Sequence, residues 1–309
     1  MLANFLGKSK PINFIVLVLL FICAFFLNLG STFSILDFTL SFIVEKVGIF
    51  LLFLAIFFTF NFIISKNNLT LDNSYAFLFY LLLTLYFYEY LLDYQVLLSC
   101  FVTLLFLRKI YSLQTLKDIF KKLFDAGFWL GIMFFFNPFL ILFFLLIIIA
   151  LIVHKRVRFQ TIIIPIVGFM IPIFLFFTYS LWNDKVDLFI NRFLFYSTHD
   201  FSLYLENRFS SPLVLISIFL ISAILIKSGS VFSVNDGFKK NWILLLFHLL
   251  ISISCVFFTF EKDGSELLIA IFPIAIITTN GFEMLKNKLL KEVLLILFIA
   301  SSFLIPIFL

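Results

Sequence analysis

Two long apolar segments fill residues 125–184, and they constrain the fold more than any other part of the chain. The first segment is broken at Asn137-Pro138, and the second contains Pro165 and Pro172. Segments this apolar are typical of membrane spans, where backbone groups have to be satisfied within the protein because hydrocarbon offers no hydrogen bonds. Both segments are therefore predicted to be helices, with a kink or a water-filled cavity at each proline.

The rest of the chain shares this apolar character. Of its 309 residues, 63% are apolar and only 13% are charged, whereas soluble domains average about half apolar and about a quarter charged. We therefore predict an all-α, polytopic integral membrane protein that forms a single membrane domain over residues 1–309. Its cysteines, Cys23, Cys100 and Cys255, lie in apolar segments without CxxC spacing, which indicates neither a disulfide framework nor a metal site.

About eleven transmembrane helices are predicted from the apolar stretches and from the charged residues that separate them. They cover approximately residues 12–29, 47–64, 74–90, 96–107, 128–137, 138–153, 159–181, 213–226, 242–260, 267–282 and 293–309. The fifth and sixth follow one another without a polar loop. We therefore predict a helical hairpin with Asn137 and Pro138 at its tip, where a cavity would lie.

Residues 110–124 carry apolar side chains every three or four positions. Lys117, Lys121 and Lys122 fall largely on the opposite face of such a helix. This pattern predicts an amphipathic helix on the cytoplasmic membrane surface, with the lysines near anionic headgroups.

The basic residues also predict an orientation. With the N-terminus in the cytoplasm and eleven spans, 17 of the 22 Lys and Arg residues lie on the cytoplasmic side and 5 lie outside. Because cytoplasmic loops carry an excess of Lys and Arg, this split favours the assumed topology. It makes the C-terminus external, together with one long loop at residues 183–212.

Motifs that would identify chemistry are scarce. The sequence contains no phosphate-binding glycine loop and no HExxH, GxSxG or CxxC pattern, and we predict no cofactor, metal or nucleic-acid partner. His248, deep in a span, is predicted to be a neutral, hydrogen-bonded packing residue. The external loops collect carboxylates and tyrosines, which suit either a catalytic cavity or ordinary wet loops with an aromatic belt.

The segment FWLGIMFFFNPFLILFFLLIIIALIV and, after a basic turn, FQTIIIPIVGFMIPIFLFFTYSLW resemble an uncharacterised family of bacterial polytopic inner-membrane proteins. More remotely they resemble the GT-C membrane glycosyltransferases, over about residues 1–226. The resemblance implies a GT-C-like helical arrangement, a bacterial inner-membrane location and a polyprenyl-phosphate-linked sugar as substrate. It also implies Asp37, in the first external loop, as the catalytic carboxylate. For a transferase, the charged residues of the long external loop predict that Arg192, Arg208 and His199 bind the lipid phosphate.

Three functional hypotheses follow. The first is a non-catalytic subunit or scaffold of a cell-envelope assembly, because soluble domains, charges within the spans and catalytic motifs are lacking. The second is a GT-C-like transferase at the outer membrane face, although the first loop has only about seventeen residues. The third is a lipid flippase or transporter. The corresponding partners are membrane lipid, polyprenyl phosphate and other inner-membrane proteins.

The charge distribution makes the topology testable. In a cysteine-free background, Ser210→Cys and Ser230→Cys should react with a membrane-impermeant thiol reagent from opposite sides, since positive charge marks residue 230 as cytoplasmic. Labelling of both positions from the same side would contradict the eleven-span topology.

Overall fold

The computed structural model describes residues 2–31, 40–193, 200–231, 236–259 and 262–308, and every regular element in these ranges is a helix. Contacts divide the chain into two compact units, whereas the sequence analysis treats it as one membrane domain. Unit 1 comprises Met1–Leu98, Phe201–Val234 and Ala270–Leu309, and unit 2 comprises Ser99–Asp200 and Asn235–Ile269.

The α-helices are listed here in chain order. They are α1 (Leu2–Leu6), α2 (Pro11–Ser31), α3 (Leu40–Asn67), α4 (Tyr75–Leu85), α5 (Tyr94–Tyr111), α6 (Ile119–Phe136), α7 (Phe143–Val153), α8 (Phe159–Trp182), α9 (Val186–Asn191), α10 (Ser202–Leu205), α11 (Asn207–Val231), α12 (Asp236–Phe258), α13 (Leu268–Met284) and α14 (Lys288–Phe308). Short 3-10 helices cover Tyr88–Leu92, Ser112–Thr115, Pro138–Leu142 and Ser265–Leu267.

Within the described ranges, six helices are long and apolar enough to cross a membrane. They are Leu40–Asn67, Tyr94–Thr115, Phe159–Trp182, Asn207–Ser230, Asp236–Phe258 and Ser265–Met284. The prediction of a helical membrane protein agrees with this result, but the six candidate spans of the described ranges are fewer than the eleven predicted. In α4, for example, eleven residues rise only about 16 Å, roughly half the hydrocarbon thickness. All eleven are buried within the protein.

The stretch at 110–124, predicted as one surface helix, is divided among three elements. Its beginning belongs to α5, its middle forms the 3-10 helix Ser112–Thr115, and its end is the start of α6. Leu116 and Asp118 have φ angles of 55° and 50°, which no α-helix accommodates. The interruption is therefore built into the backbone, and α6 continues from Ile119 to Phe136 as a single helix.

Unit 2 contains a pair of helices, α6 and α8, whose backbones touch. A Cβ atom added at Gly127 would overlap the carbonyl group of Pro165, and one at Gly131 would lie 2.6 Å from the carbonyl oxygen of Phe169. Gly168 meets the backbone of α6 in the same way. Small residues at such positions allow the close approach that binds apolar helices in a membrane.

Helix α12 contributes a buried polar face to unit 2. Its members recur at intervals of three, four or seven residues, so they share one side of the helix; they are Asn241, His248, Ser252, Cys255 and Thr259. Three of them have side-chain partners: Asn241 Nδ2 donates to Gln114 (3.1 Å), the Tyr111 hydroxyl and His248 Nδ1 share a hydrogen bond (3.0 Å), and Asn137 Nδ2 donates to Thr259 (2.9 Å). The prediction that His248 is a hydrogen-bonded packing residue is confirmed.

Stacked aromatic rings join the helices of unit 1. The ring of Phe21 in α2 lies 3.9 Å from the rings of both Phe53 and Phe57 in α3, and Phe57 in turn lies 3.7 Å from Phe77 in α4. All four are buried. Such rings add stacking to the packing of large apolar surfaces.

The contact between α6 and α8 predicts a contrast between two glycines. Gly127→Ala should destabilise the protein by about 1–3 kcal/mol, because the new methyl group forces the two backbones apart. Gly48→Ala, in the middle of α3 with no neighbour within 4 Å of the added Cβ, should be neutral or gain up to about 1 kcal/mol. Thermal unfolding of the purified chain in detergent measures both, and equal melting temperatures would contradict the packing.

Candidate functional site

The predicted phosphate ligand Arg208 lies in the first turn of α11 and forms an ion pair with Glu89 in the 3-10 helix Tyr88–Leu92. Both residues belong to unit 1, and both side chains are roughly 40% exposed. The Arg208 guanidinium also lies over the ring of Phe209, 5.5 Å from its centroid. Arg208 is thus already engaged by a carboxylate and an aromatic ring.

Of the other residues of the predicted transferase site, Arg192 is in the part of the chain that the structure describes. Arg192 follows the end of α9 in unit 2 and its side chain is exposed. Asp37 and His199 lie outside the described residues. The roles assigned to Asp37, Arg192, His199 and Arg208 therefore remain predictions.

The helix break at Asn137-Pro138 is present, and Asn137 occupies it with an extended backbone (φ −147°, ψ 116°). Its side-chain oxygen accepts a hydrogen bond from the backbone N–H of Phe139 (3.0 Å), while its Nδ2 donates to Thr259 (2.9 Å). Asn137 thus caps the short helix that follows and ties it to α12. A cavity at this tip remains a prediction.

The lysines predicted at the membrane surface differ in their surroundings. Lys117 and Lys121 are exposed. Lys122 donates to the backbone oxygen of Ser112 (2.6 Å) and to the Thr115 hydroxyl (2.7 Å), so it caps the end of the preceding 3-10 helix. Contact of these lysines with lipid headgroups remains a prediction.

The carboxylates before α13 shape their own loop. Asp263 accepts from the backbone N–H (2.9 Å) and the hydroxyl (2.7 Å) of Ser265, and Glu266 accepts from the backbone N–H of Gly264 (2.9 Å). Burial acts to raise the pKa of Asp263, but the hydrogen bonds from Ser265 favour the carboxylate and lower the pKa below its ordinary value. These two acids stabilise a turn.

Unit 1 contains an open cavity of about 670 Å³ that is not evident from the sequence. We call it the lysine pocket: residues 7–10, residues 71–73, Tyr75, Glu283 and Lys291 line it. The lining carries three lysines, at positions 8, 10 and 291, and two carboxylates, at positions 72 and 283. This is a dense group of charges for a chain in which only 13% of residues are charged.

Glu283 anchors one wall of the lysine pocket. Its Oε1 accepts hydrogen bonds from the backbone N–H of Leu71 (3.0 Å) and from Asn73 Nδ2 (2.6 Å). Lys291 Nζ approaches the Glu283 backbone oxygen at 3.4 Å. The loop at 71–73 is therefore held to the end of α13 by one side chain.

The opposite wall is fixed by the N-terminal segment. Asn13 Nδ2 donates to the backbone oxygens of Phe5 (2.5 Å) and Lys8 (2.8 Å), and the Tyr75 hydroxyl donates to the Ala3 oxygen (2.5 Å). Asn13 and Tyr75 are both buried. Hydrogen bonds from Asn13 and Tyr75 thus hold the N-terminal segment in place, and the side chains of residues 8–10 are exposed on it.

Three charged side chains of the pocket have no protein partner. Lys8, Lys10 and Asp72 are exposed, and none of their side chains forms a hydrogen bond or ion pair in the part of the chain that the structure describes. The sequence by itself predicts only that the two lysines mark the cytoplasmic side. One feature of the sequence could have indicated the pocket. Glu283 lies at the end of an apolar segment, and a carboxylate in that position requires a partner within the protein.

A family described as one of unknown function matches residues 1–308. No curated protein and no solved structure matches the chain.

Removal of the Glu283 anchor predicts a measurable loss of order. Glu283→Ala should cost about 1–3 kcal/mol, because the Leu71 N–H and the Asn73 amide lose their acceptor, and it should accelerate hydrogen exchange at the Leu71 amide. Glu283→Gln retains an acceptor and should fall between Glu283→Ala and the parent. Glu45→Ala, which removes only an exposed contact with the adjacent Lys46, is the matched control. An unchanged exchange rate at Leu71 in Glu283→Ala would refute the anchoring.

Proposed function

We propose that this chain, which belongs to the DUF6427 family of unknown function, is a non-catalytic, multi-pass subunit or scaffold of a membrane assembly in the cell envelope. The observation that supports this proposal best is the ion pair between Arg208 and Glu89. In this ion pair Arg208 binds a carboxylate of the protein, whereas the transferase hypothesis requires Arg208 to bind the lipid phosphate of the substrate.

The requirement comes from the chemistry of glycosyl transfer. A transferase needs an ionised carboxylate that can reach the acceptor hydroxyl, and cations that can bind the leaving lipid phosphate. Arg208 already has a carboxylate partner within its own unit. Asp263 and Glu266, two further acids of the predicted external loops, are hydrogen-bonded within one turn. This use of charged groups favours a structural role over a catalytic one.

The GT-C-like transferase is the alternative, and its distinguishing residue is Asp37. Under both proposals we place the protein in the bacterial inner membrane with a cytoplasmic N-terminus, because Lys8 and Lys10 directly precede the first apolar segment. The scaffold requires no particular residue at position 37. The transferase requires a carboxylate there.

A charge swap separates the two proposals. Arg208→Glu alone places two carboxylates together and should lower the amount of folded protein, whereas Glu89→Arg combined with Arg208→Glu should restore it, since the pair is re-formed in reverse. In a strain lacking the gene, a scaffold predicts that the double variant also restores the parental phenotype. A transferase predicts that the double variant does not restore the phenotype, because position 208 then carries a carboxylate in place of the arginine that binds the phosphate.

The controls are the size of the native assembly and an Asp37 variant. The 36.1 kDa chain, extracted gently from its own membranes, should migrate in a larger complex with or without Asp37→Asn. If Asp37→Asn is folded and membrane-inserted but fails to complement the deletion, the transferase replaces the scaffold.

A further inference from the structure

We propose that the lysine pocket binds a phosphoethanolamine group, supplied as the headgroup of a membrane phospholipid. This proposal does not depend on the scaffold role, because either a scaffold or a transferase can carry a lipid at such a site. It rests on where the pocket lies in unit 1 and on which of its charges are left without a partner.

The pocket lies at the ends of apolar helices. Candidate spans α3 and α13 end at Asn67 and Met284, next to the lining residues 71–73 and Glu283. Helix α2 begins at Pro11, directly after the lining residues 7–10. The polar headgroup region begins where apolar spans end. The lysine pocket is therefore at the depth of lipid headgroups.

Lys8 and Lys10 supply the phosphate half of the site. Their ammonium groups line one cavity, are exposed and have no partner among the described residues. Charge-assisted hydrogen bonds between ammonium and phosphate are among the stronger polar contacts. The 21-residue α2 starts at the same place and adds the positive end of its dipole. Two independent features thus favour an anion at residues 7–10.

Asp72 supplies the amine half. Its carboxylate lines the same cavity as Lys8 and Lys10, yet it forms no ion pair with either of them. Opposite charges that share a cavity but do not pair favour a ligand that carries both charges itself. Phosphoethanolamine has a phosphate and a primary ammonium, whereas the choline headgroup lacks N–H donors and the glycerol headgroup lacks the cation. The pocket therefore favours ethanolamine over both.

Space and rigidity are consistent with such a ligand. A cavity of about 670 Å³ falls within the roughly 300–1,000 Å³ typical of small-molecule sites. The two walls are fixed by Glu283, Asn13 and Tyr75, so the exposed charges project from an ordered frame. Little order has to be gained on binding, which favours affinity.

Native mass spectrometry of the full chain in detergent tests the proposal. The chain is mixed with ethanolamine, glycerol and choline phospholipids that have identical acyl chains. We expect the ethanolamine lipid to be retained at least about tenfold more than the choline lipid, the equivalent of one decade in Kd. Soluble phosphoethanolamine and inorganic phosphate are added in separate competition arms. Competition by phosphoethanolamine and not by phosphate supports the recognition of both charges, and preferential retention of the intact lipid identifies the membrane as its source.

Variants separate the two halves of the site. Lys8→Gln with Lys10→Gln should reduce retention of both the ethanolamine and the glycerol phospholipid, because the lysines bind the phosphate that both carry. Asp72→Asn should selectively reduce the preference for the ethanolamine phospholipid. The control Lys155→Gln with Lys185→Gln removes two exposed lysines that lie outside the pocket and have no assigned role at the membrane surface, and it should change neither. None of the substituted side chains has a protein partner among the described residues. The variants should therefore melt at the same temperature as the parent chain, which confirms that the fold is intact.

Three results would overturn the proposal. One is equal retention of ethanolamine and choline lipids by the parent chain. Another is preference for the glycerol lipid, which would indicate a site for a simple anion. The third is an equal loss of binding in the pocket variants and in the Lys155 and Lys185 control, which would indicate a general attraction of phospholipid to positive charge.

Discussion

A polar group that enters an apolar bundle has to find its partner inside the protein, because lipid offers none. The described parts of this chain follow that constraint closely. Along α12, Asn241, His248 and Thr259 each contact a polar side chain of the same unit. At the end of α13, Glu283 holds the loop at 71–73. These contacts position the helices relative to one another within each unit.

The sequence was informative where a local rule decides the structure. Apolar length predicted helices, and Asn137-Pro138 predicted a break, since proline cannot continue the hydrogen bonding of a helix. It failed where tertiary contacts decide. Helix α4 is apolar throughout, and its sequence does not distinguish a lipid-facing span from a short helix enclosed by protein. The interruption at Leu116 and Asp118 could not be predicted either, because positive φ angles are usually found at glycine and neither residue is a glycine.

The pocket was missed for a different reason. Lysine near the end of an apolar segment has two physical meanings: it fixes topology by remaining in the cytoplasm, and it offers a donor to an anionic headgroup. Lys8 and Lys10 were interpreted only in the first sense. What separates the meanings is the approach of Asp72 and Glu283 from distant parts of the sequence. That convergence of residues is a product of the fold.

The central claim is that Glu89, Arg208 and Glu283 stabilise unit 1, whereas Lys8, Lys10 and Asp72 receive a lipid headgroup. A density map of the chain in nanodiscs containing ethanolamine phospholipid tests it most directly. The account predicts headgroup density in the pocket, with phosphate beside Lys8 and Lys10 and the amine beside Asp72. A well-resolved pocket in which these side chains contact only water, or an acyl chain, would contradict it.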